Sequence, residues 1–204
     1  MGRGGGVRPL STALTWVAKF FNLASFEKGF SMQALLRNLP ANAVQTTMPS
    51  PVGELTLVAS GLGLHALLWE KDLLRAEYRR ILSCVPVDVN HPILQKTVKQ
   101  LGEYFEGRRR TFDIPLAPNG TKFQMQVWEE LRKIPYGQTI SYSEQAERLG
   151  DRKKTRAVGT ANGRNPLSII VPCHRVIAAN GDLTGFGGGL QNKRFLLDLE
   201  NSVQ

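Results

Sequence analysis

Residues 141–163 read SYSEQAERLGDRKKTRAVGTANG, and the fold of the C-terminal part of this 204-residue chain turns on that stretch. Ser141 with Glu144 three positions later is a capping box, in which the cap oxygen takes an orphaned helix amide and the acid reaches back. It opens a helix expected to run to about Leu149. Gly150-Asp-Arg-Lys then makes a short turn, and a second short helix is expected from Lys154 to about Asn162. A helix, a tight glycine-containing turn and a second helix form a helix-turn-helix candidate. The second helix carries Ala157, Gly159, Ala161 and Gly163 and is nearly free of large side chains. Such slimness suits either close packing on a neighbouring helix or entry into a nucleic-acid groove with Arg156 as the one long probe.

Upstream, Thr121 and Gln124 form another capping box, and Phe123, Val127, Trp128 and Leu131 supply a buried helical face that stops at Pro135-Tyr-Gly137. Pro118-Asn-Gly120 marks the expected domain boundary. Before it the pattern changes. Gly53–Ala59 alternates, Gly61-Leu-Gly63 turns, and Leu64–Trp69 follows as a second β-rich run, which reads as a hairpin. Asp72–Leu82 is expected to be helical, with Leu74, Tyr78 and Leu82 spaced by four, and His91–Phe105 is a second helix candidate. Phe112–Leu116 is expected to add a short strand. The organisation expected is an N-terminal extension over 1–45 without fixed structure, an α/β domain over 46–118 and a helical domain over 119–204. Some helix around Thr12–Phe26 and alternative starts at Met32 or Met48 fit the extension, whose composition is only faintly transit-peptide-like.

The composition, 42% apolar and 21% charged, is that of an ordinary soluble domain. No apolar run reaches the roughly 18 residues that span a bilayer, and Ala13–Phe26 is interrupted by Lys19, so no membrane partner is expected. The formal charge of +9 is uneven: residues 1–45 and 121–204 each carry an excess of four, and 46–120 an excess of one. A basic C-terminal part is compatible with a polyanionic partner such as nucleic acid. Two cysteines build no disulfide framework and fit the reducing cytosol or nucleus. With Cys84 and Cys173 far apart and three dispersed histidines, no metal-ligand spacing is present, and no metal is expected.

Chemistry concentrates in Pro166–Gly189. Ser168-Ile-Ile-Val171 is a short apolar strand signal ended by Pro172, after which come Cys173, His174 and Arg175. A free thiol near pKa 8.5 is only a few per cent thiolate at neutral pH, so a basic setting and an imidazole acceptor would activate it. Consecutive strand side chains point to opposite faces, so His174 serves Cys173 only if the chain turns at Pro172 or a water spans the gap. Gly181–Gly189 is glycine-dense without Walker or Rossmann spacing, and fits a lid or pocket wall. A terminal helix, Leu190–Leu199, ends on Glu200, where the helix dipole disfavours a carboxylate. Glu200 is then either a solvated acid or a proton acceptor.

Pro172-Cys-His-Arg-Val176, preceded by Asn165-Pro166 and by Arg156-Ala-Val-Gly159, resembles the signature of the O6-alkylguanine-DNA alkyltransferases, in the bacterial constitutive form. The resemblance covers about residues 46–200. It implies an RNase H-like sheet in the α/β domain, then a helical domain with the helix-turn-helix. It implies stoichiometric, irreversible transfer of the alkyl group of O6-alkylguanine, and of O4-alkylthymine, to the protein's own cysteine. It makes Cys173 the acceptor thiolate, His174 the base acting through a water, Glu200 its partner, and Asn165 the residue shaping the turn. Tyr142 would contact the extruded base and protonate it. Arg156 would fill the hole in the stack, with Thr155, Ala157 and Gly159 along the DNA-facing helix. Val176, Phe186, Gly187, Ser168 and Tyr142 would line the pocket. Phe186 stands where relatives carry Tyr, and the small Ser168 and Gly187 imply room for bulky alkyl groups. No cofactor is implied. The partner is double-stranded DNA carrying the lesion, met by a monomer in the cytoplasm, on the nucleoid, or in the nucleus of a eukaryote.

Three other readings fit parts of the pattern. A binder that recognises damage without repairing it would lack the acceptor, and Cys173 is present. A cysteine hydrolase would need an oxyanion hole, and no such motif is evident. A helix-turn-helix regulator would make the thiol incidental.

Overall fold

The computed structural model describes residues 38–202. The expected hairpin is present as part of a three-stranded antiparallel meander: β1 (Val44–Met48), β2 (Leu55–Ser60) and β3 (Gly63–Trp69), in the order β1-β2-β3. The register pairs Leu57 with Leu67 and Thr47 with Thr56, and a bulge lies at Val58/Ala59. The first strand begins inside the stretch read as an extension, because Ala43 is already buried in the sheet's outer cluster. The helix and the alternative start at Met32 expected within 1–37 lie outside the described residues.

Gly63 fits where no side chain would. Its φ is +147°, and a Cβ there would stand 2.7 Å from the Pro115 carbonyl oxygen. Segment 112–116 comes this close because Leu64 N–H donates to Pro115 O and Ala117 N–H to Leu64 O, each at 2.8 Å. It forms a single parallel bridge, Leu64 with Leu116, instead of the strand expected from Phe112–Leu116. Pro115 within that run and Pro118 just after it leave too few donors for a ladder.

The single helix expected over Asp72–Leu82 divides into a 3₁₀ turn, Glu70–Leu74, and α1 (Ala76–Leu82). Tyr78 and Leu82 of α1 pack on Val58, Ala66 and Leu68, while Leu74, which the four-residue spacing placed on the inner face, is exposed. On the other side of the sheet lies α2 (Pro92–Phe105), with Pro at its first position and Leu94, Leu101 and Tyr104 inward. Both faces of β2 and β3 are therefore covered, which is why those strands are buried at every residue.

The helical part consists of α3 (Lys122–Arg132), α4 (Tyr142–Arg148), α5 (Thr155–Asn162) and α6 (Leu190–Ser202). The Thr121 capping box forms as the sequence predicts. A 3₁₀ turn, Arg152–Lys154, joins α4 to α5, and a two-residue parallel pair links β4 (Ile140–Ser141) to β5 (Val176–Ile177). Trp128 donates its indole N–H to Ala161 O at 2.9 Å, and Gln145 and Asn162 bond amide to amide across α4 and α5. Buried side chains satisfied in this way set the angle of the helix pair. Leu55, Leu57 and Trp69 of the sheet share one apolar core with Val127, Leu131, Val158, Ile169 and Leu196, so the sheet and the helices are built on common packing.

Candidate active site

The apolar run Ser168–Val171 is not a strand. It is a tight turn, with Val171 N–H bonded to Leu167 O at 2.8 Å. Ile169, Ile170 and Val171 are buried against the core, and burial alone accounts for their apolarity; short apolar runs do not by themselves distinguish a ladder from a packed turn. Asn165 closes the turn from within. Its Oδ1 accepts from Leu167 N–H at 3.0 Å and its Nδ2 donates to Val171 O at 2.7 Å. Ile169 is held at φ +75°, a left-handed conformation that costs a β-branched residue on the order of 1–3 kcal/mol.

Pro172 then reverses the chain. Its φ of −82° and ψ of 65° make an inverse γ-turn, closed by Cys173 N–H to Val171 O at 2.8 Å. Cys173, His174 and Arg175 follow as one 3₁₀ turn. The geometric objection to a Cys–His pair in extended chain is thereby removed: the two side chains leave a helical turn, not opposite faces of a strand.

Glu200 lies inside α6, fully buried, and collects five hydrogen bonds. His174 Nε2 meets Oε1 at 2.8 Å, Tyr104 donates its hydroxyl to Oε1 at 2.8 Å, and Gly137 N–H donates to Oε2 at 2.9 Å. Arg175 grips both oxygens, Nε to Oε2 and Nη2 to Oε1, each at 2.9 Å. Burial alone would raise the acid, but hydrogen bonds and charge from His174 and Arg175 outweigh it and hold the carboxyl at about 2. The solvated-acid reading is excluded by this burial. Burial, followed by the Glu200 charge, drives the Tyr104 phenol far above its ordinary range, so it stays a donor. Burial also lowers His174 and keeps the imidazole neutral, against the pull of Glu200. With Nε2 committed to an ionised carboxylate, Nδ1 is the basic nitrogen, and it is buried without a hydrogen-bond partner among the described residues.

The expected activation of Cys173 by a basic neighbourhood is not the dominant effect. Burial pushes the thiol up, and hydrogen bonds to Asn165 and Ser168, then the charge of Lys193, act in the opposite direction. Ser168 Oγ lies 3.9 Å from Cys173 Sγ. Ser168 also lines a cleft of about 290 Å³ with Asn165, Phe186, Gly187 and Trp69, and with Arg75 and Arg164 among its charged residues. Phe186 stands edge-on to both Trp69, centroids 5.5 Å apart, and His174, 6.4 Å apart. Gly188 is pressed against this wall: a Cβ there would stand 2.7 Å from the Trp69 ring. Tyr142, at the start of α4, donates its hydroxyl to Thr184 O at 3.0 Å and so touches the glycine-rich segment. Burial raises its phenol, which keeps the proton in place.

On α5 the small residues divide between two duties. Val158 and Ala161 face the core, and Gly159 lies against the Tyr142 ring, where a Cβ would come within 3.7 Å. Arg156, Ala157 and Thr160 are exposed together on the outer face, with Thr155 partly covered and Arg152, Lys153 and Lys154 leading into it. Val176, in β5, is buried next to the reactive turn.

The structure thus gathers Cys173, His174, Glu200, Asn165, Ser168, Val176, Phe186, Gly187 and Tyr142 into one region, and sets Arg156 with Thr155, Ala157 and Gly159 on a separate helix beside it. Three participants were missed by the sequence reading. Arg175 stood in the quoted motif without a role. Lys193 and Glu200 are seven residues apart on one helix, hence on one face, a signal that was available. Tyr104 reaches Glu200 from 96 residues away, and no local pattern announces it. Among the described residues, no helix is long and apolar enough to cross a membrane.

Comparison with known proteins agrees with this arrangement. The family model for the ribonuclease-like domain of 6-O-methylguanine DNA methyltransferase matches residues 43–118, and that for its DNA binding domain matches 122–202. The methylated-DNA–protein-cysteine methyltransferase of Methanosarcina acetivorans is 46% identical over 155 residues, 75% of this chain and 95% of the relative. That of Mycobacterium tuberculosis is 46% identical over 156 residues, 76% and 91% of the two chains. The crystal structure of Mycobacterium tuberculosis O6-methylguanine methyltransferase superposes with a TM-score of 0.71 at 44% identity, over 79% of this chain and 94% of that one. The OGT protein of the same organism in complex with DNA gives 0.70 at 44% identity, over 78% and 94%.

Proposed function

This chain belongs to the 6-O-methylguanine DNA methyltransferase family, and from that membership we propose that Cys173 is the acceptor that takes the alkyl group from O6-alkylguanine in double-stranded DNA. The protein is a DNA-repair alkyltransferase acting by direct reversal, a methylated-DNA–[protein]-cysteine S-methyltransferase. The observation that carries the assignment of the acceptor is the buried 3₁₀ turn in which Cys173 is followed by a neutral His174 whose Nε2 is tied to ionised Glu200.

The reaction proceeds from a flipped base. Extrusion costs a few kcal/mol, offset by Arg156 inserted into the stack and by phosphate contacts from Arg152, Lys153 and Lys154. The thiol proton passes by way of a water to His174 Nδ1, and Glu200 stabilises the resulting imidazolium. Sγ attacks the alkyl carbon in line. The S–C bond forms as the C–O6 bond breaks, the electron pair leaves with guanine, Tyr142 passes it a proton, and the proton taken up by His174 returns through water to the Tyr142 oxygen, leaving both side chains neutral. The thioether is a poor leaving group, so each molecule acts once. The alkyl group is received on the side of the acceptor turn where Ser168 and Gly187 border a cleft, and the smallness of those two side chains supports acceptance of bulky substituents. O4-alkylthymine as a second substrate, a monomeric state and a cytoplasmic site of action complete the reading.

Incubation with duplex DNA carrying labelled O6-methylguanine tests it. One equivalent of label on Cys173, abolished in Cys173→Ala, is expected. Turnover beyond one equivalent would indicate a hydrolase, and binding without label a non-repairing reader.

A further inference from the structure

We propose that Lys193 is a positioning residue for the transfer: its ammonium ties the carbonyls of Val176 and Thr184 together beside the Tyr142 ring, holding the glycine lid against the acceptor turn, and presents a fixed positive charge to the Cys173 thiolate. The proposal rests on Cys173 being the acceptor.

Lys193 is fully buried on the inner face of α6. Its Nζ donates to Val176 O at 2.6 Å and to Thr184 O at 2.8 Å, and lies 5.7 Å from the Tyr142 ring centroid. Among the described residues it forms no salt bridge. A buried lysine without a carboxylate is costly, and two neutral carbonyls compensate it only in part. The remaining compensation comes from an anion formed nearby, and the ionisable groups that feel its charge are Cys173 and His174, with Tyr142 against it from α4. The charge favours thiolate over thiol and neutral imidazole over imidazolium, so before transfer both partners are biased toward their reactive forms. The same ammonium fixes the lid. Thr184 O accepts from Lys193 and from Tyr142, so the cation, the base-contacting tyrosine and the lid share one oxygen. The segment that follows holds Gly185, at φ +44°, and Gly189, at φ +93°, and has little stiffness of its own.

Burial also lowers Lys193 to about 8. The charge is therefore present below that pH and lost above it, and the single-turnover rate should rise as the thiol ionises and fall as Lys193 deprotonates.

The test uses the full chain with duplex DNA carrying O6-methylguanine, measuring single-turnover rate from pH 6 to 9.5 and the pH midpoint of iodoacetamide labelling at Cys173. Lys193→Met should slow transfer at pH 7 by roughly ten-fold or more and move the labelling midpoint upward by about one pH unit. Lys193→Arg keeps the charge at every pH used, so its labelling midpoint should stay near wild type and its rate should not fall above pH 8. It also serves if Lys193→Met does not fold. An unchanged midpoint in Lys193→Met, or a fall above pH 8 that persists in Lys193→Arg, would overturn the proposal. Wild-type protein that leaves no label on Cys173 would instead overturn the acceptor assignment.

Discussion

His174 Nε2 lies 2.8 Å from Oε1 of Glu200, and that contact determines which imidazole nitrogen can serve Cys173. An ionised carboxylate only accepts, so Nε2 carries the hydrogen and Nδ1 is the base. Replacing Glu200 by Gln should therefore do two separable things. Loss of the imidazolium's partner should lower the single-turnover rate by on the order of 100-fold. Loss of the charge also strands Arg175, buried against it, at a cost of about 3–5 kcal/mol. Wild-type rates in Glu200→Gln, measured on the folded fraction, would remove the relay from the mechanism.

Acid should destabilise the protein in two stages. His174 has a folded pKa below its unfolded value, so its contribution is complete above about pH 6.5 and decays as the pH falls. Glu200, lowered to about 2, contributes on the order of 3 kcal/mol that is present above its unfolded value near 4.5 and lost as the pH falls toward 2. Urea unfolding at pH 7, 5.5 and 4 should show the first loss, and a series from 4.5 to 2.5 the second. In Glu200→Gln the second stage should vanish.

How much of this was written in the sequence depends on the range of each interaction. The capping box at Thr121, the hairpin about Gly61–Gly63 and the slim α5 are local, and they stand where the pattern put them. At Ser141 only half of the expected box forms: its hydroxyl accepts from Glu144 N–H, while the Glu144 carboxylate turns to Arg148. Ser168–Val171 misled because a buried turn and a buried strand use the same residues; only the reach of Asn165 to Val171 separates them. Leu74 misled in the same way, since a four-residue period continues across a break that only the tertiary packing reveals. The position of Glu200 looked anomalous in isolation. Its explanation lies in Tyr104, Gly137, His174 and Arg175, which come from three distant segments.

Arg156 and Lys153 should fail differently. Arg156→Ala removes support for the flipped base, so transfer from O6-methylguanine in duplex DNA should slow by about ten-fold or more, while free O6-benzylguanine base, which needs no flipping, should react at the wild-type rate. Lys153→Ala should weaken binding to any duplex alike and reduce the slope of log K against log salt by about 0.9. Equal effects of Arg156→Ala on duplex and free base would contradict its place in the stack.

Two adjacent glycines provide a steric control on the cleft. A Cβ at Gly187 would lie 3.8 Å from Ser168 Oγ and 3.9 Å from Trp69 Nε1, ordinary contact distances. At Gly188 it would lie 2.7 Å from the Trp69 ring and 2.8 Å from Phe186. Gly188→Ala should thus cost about 1–3 kcal/mol and impair reaction with O6-benzylguanine more than with the methyl lesion. Gly187→Ala should be close to wild type in stability. Thermal denaturation with paired rate measurements decides both.

Lys193, Leu196 and Glu200 occupy one stripe of α6, so a single rigid rod holds the lid at one end and the proton acceptor's partner at the other. The two halves of the reactive apparatus then have no independent modes of failure. Unfolding of that helix as a unit does not yield a molecule with an intact relay and an open lid, or the reverse, but one that is inert as a whole. Competence to react is consequently a cooperative property. Amide exchange along α6 and the decay of single-turnover activity in denaturant should follow one transition, and a reagent that acts only once is ready or not ready, with no half-armed population between.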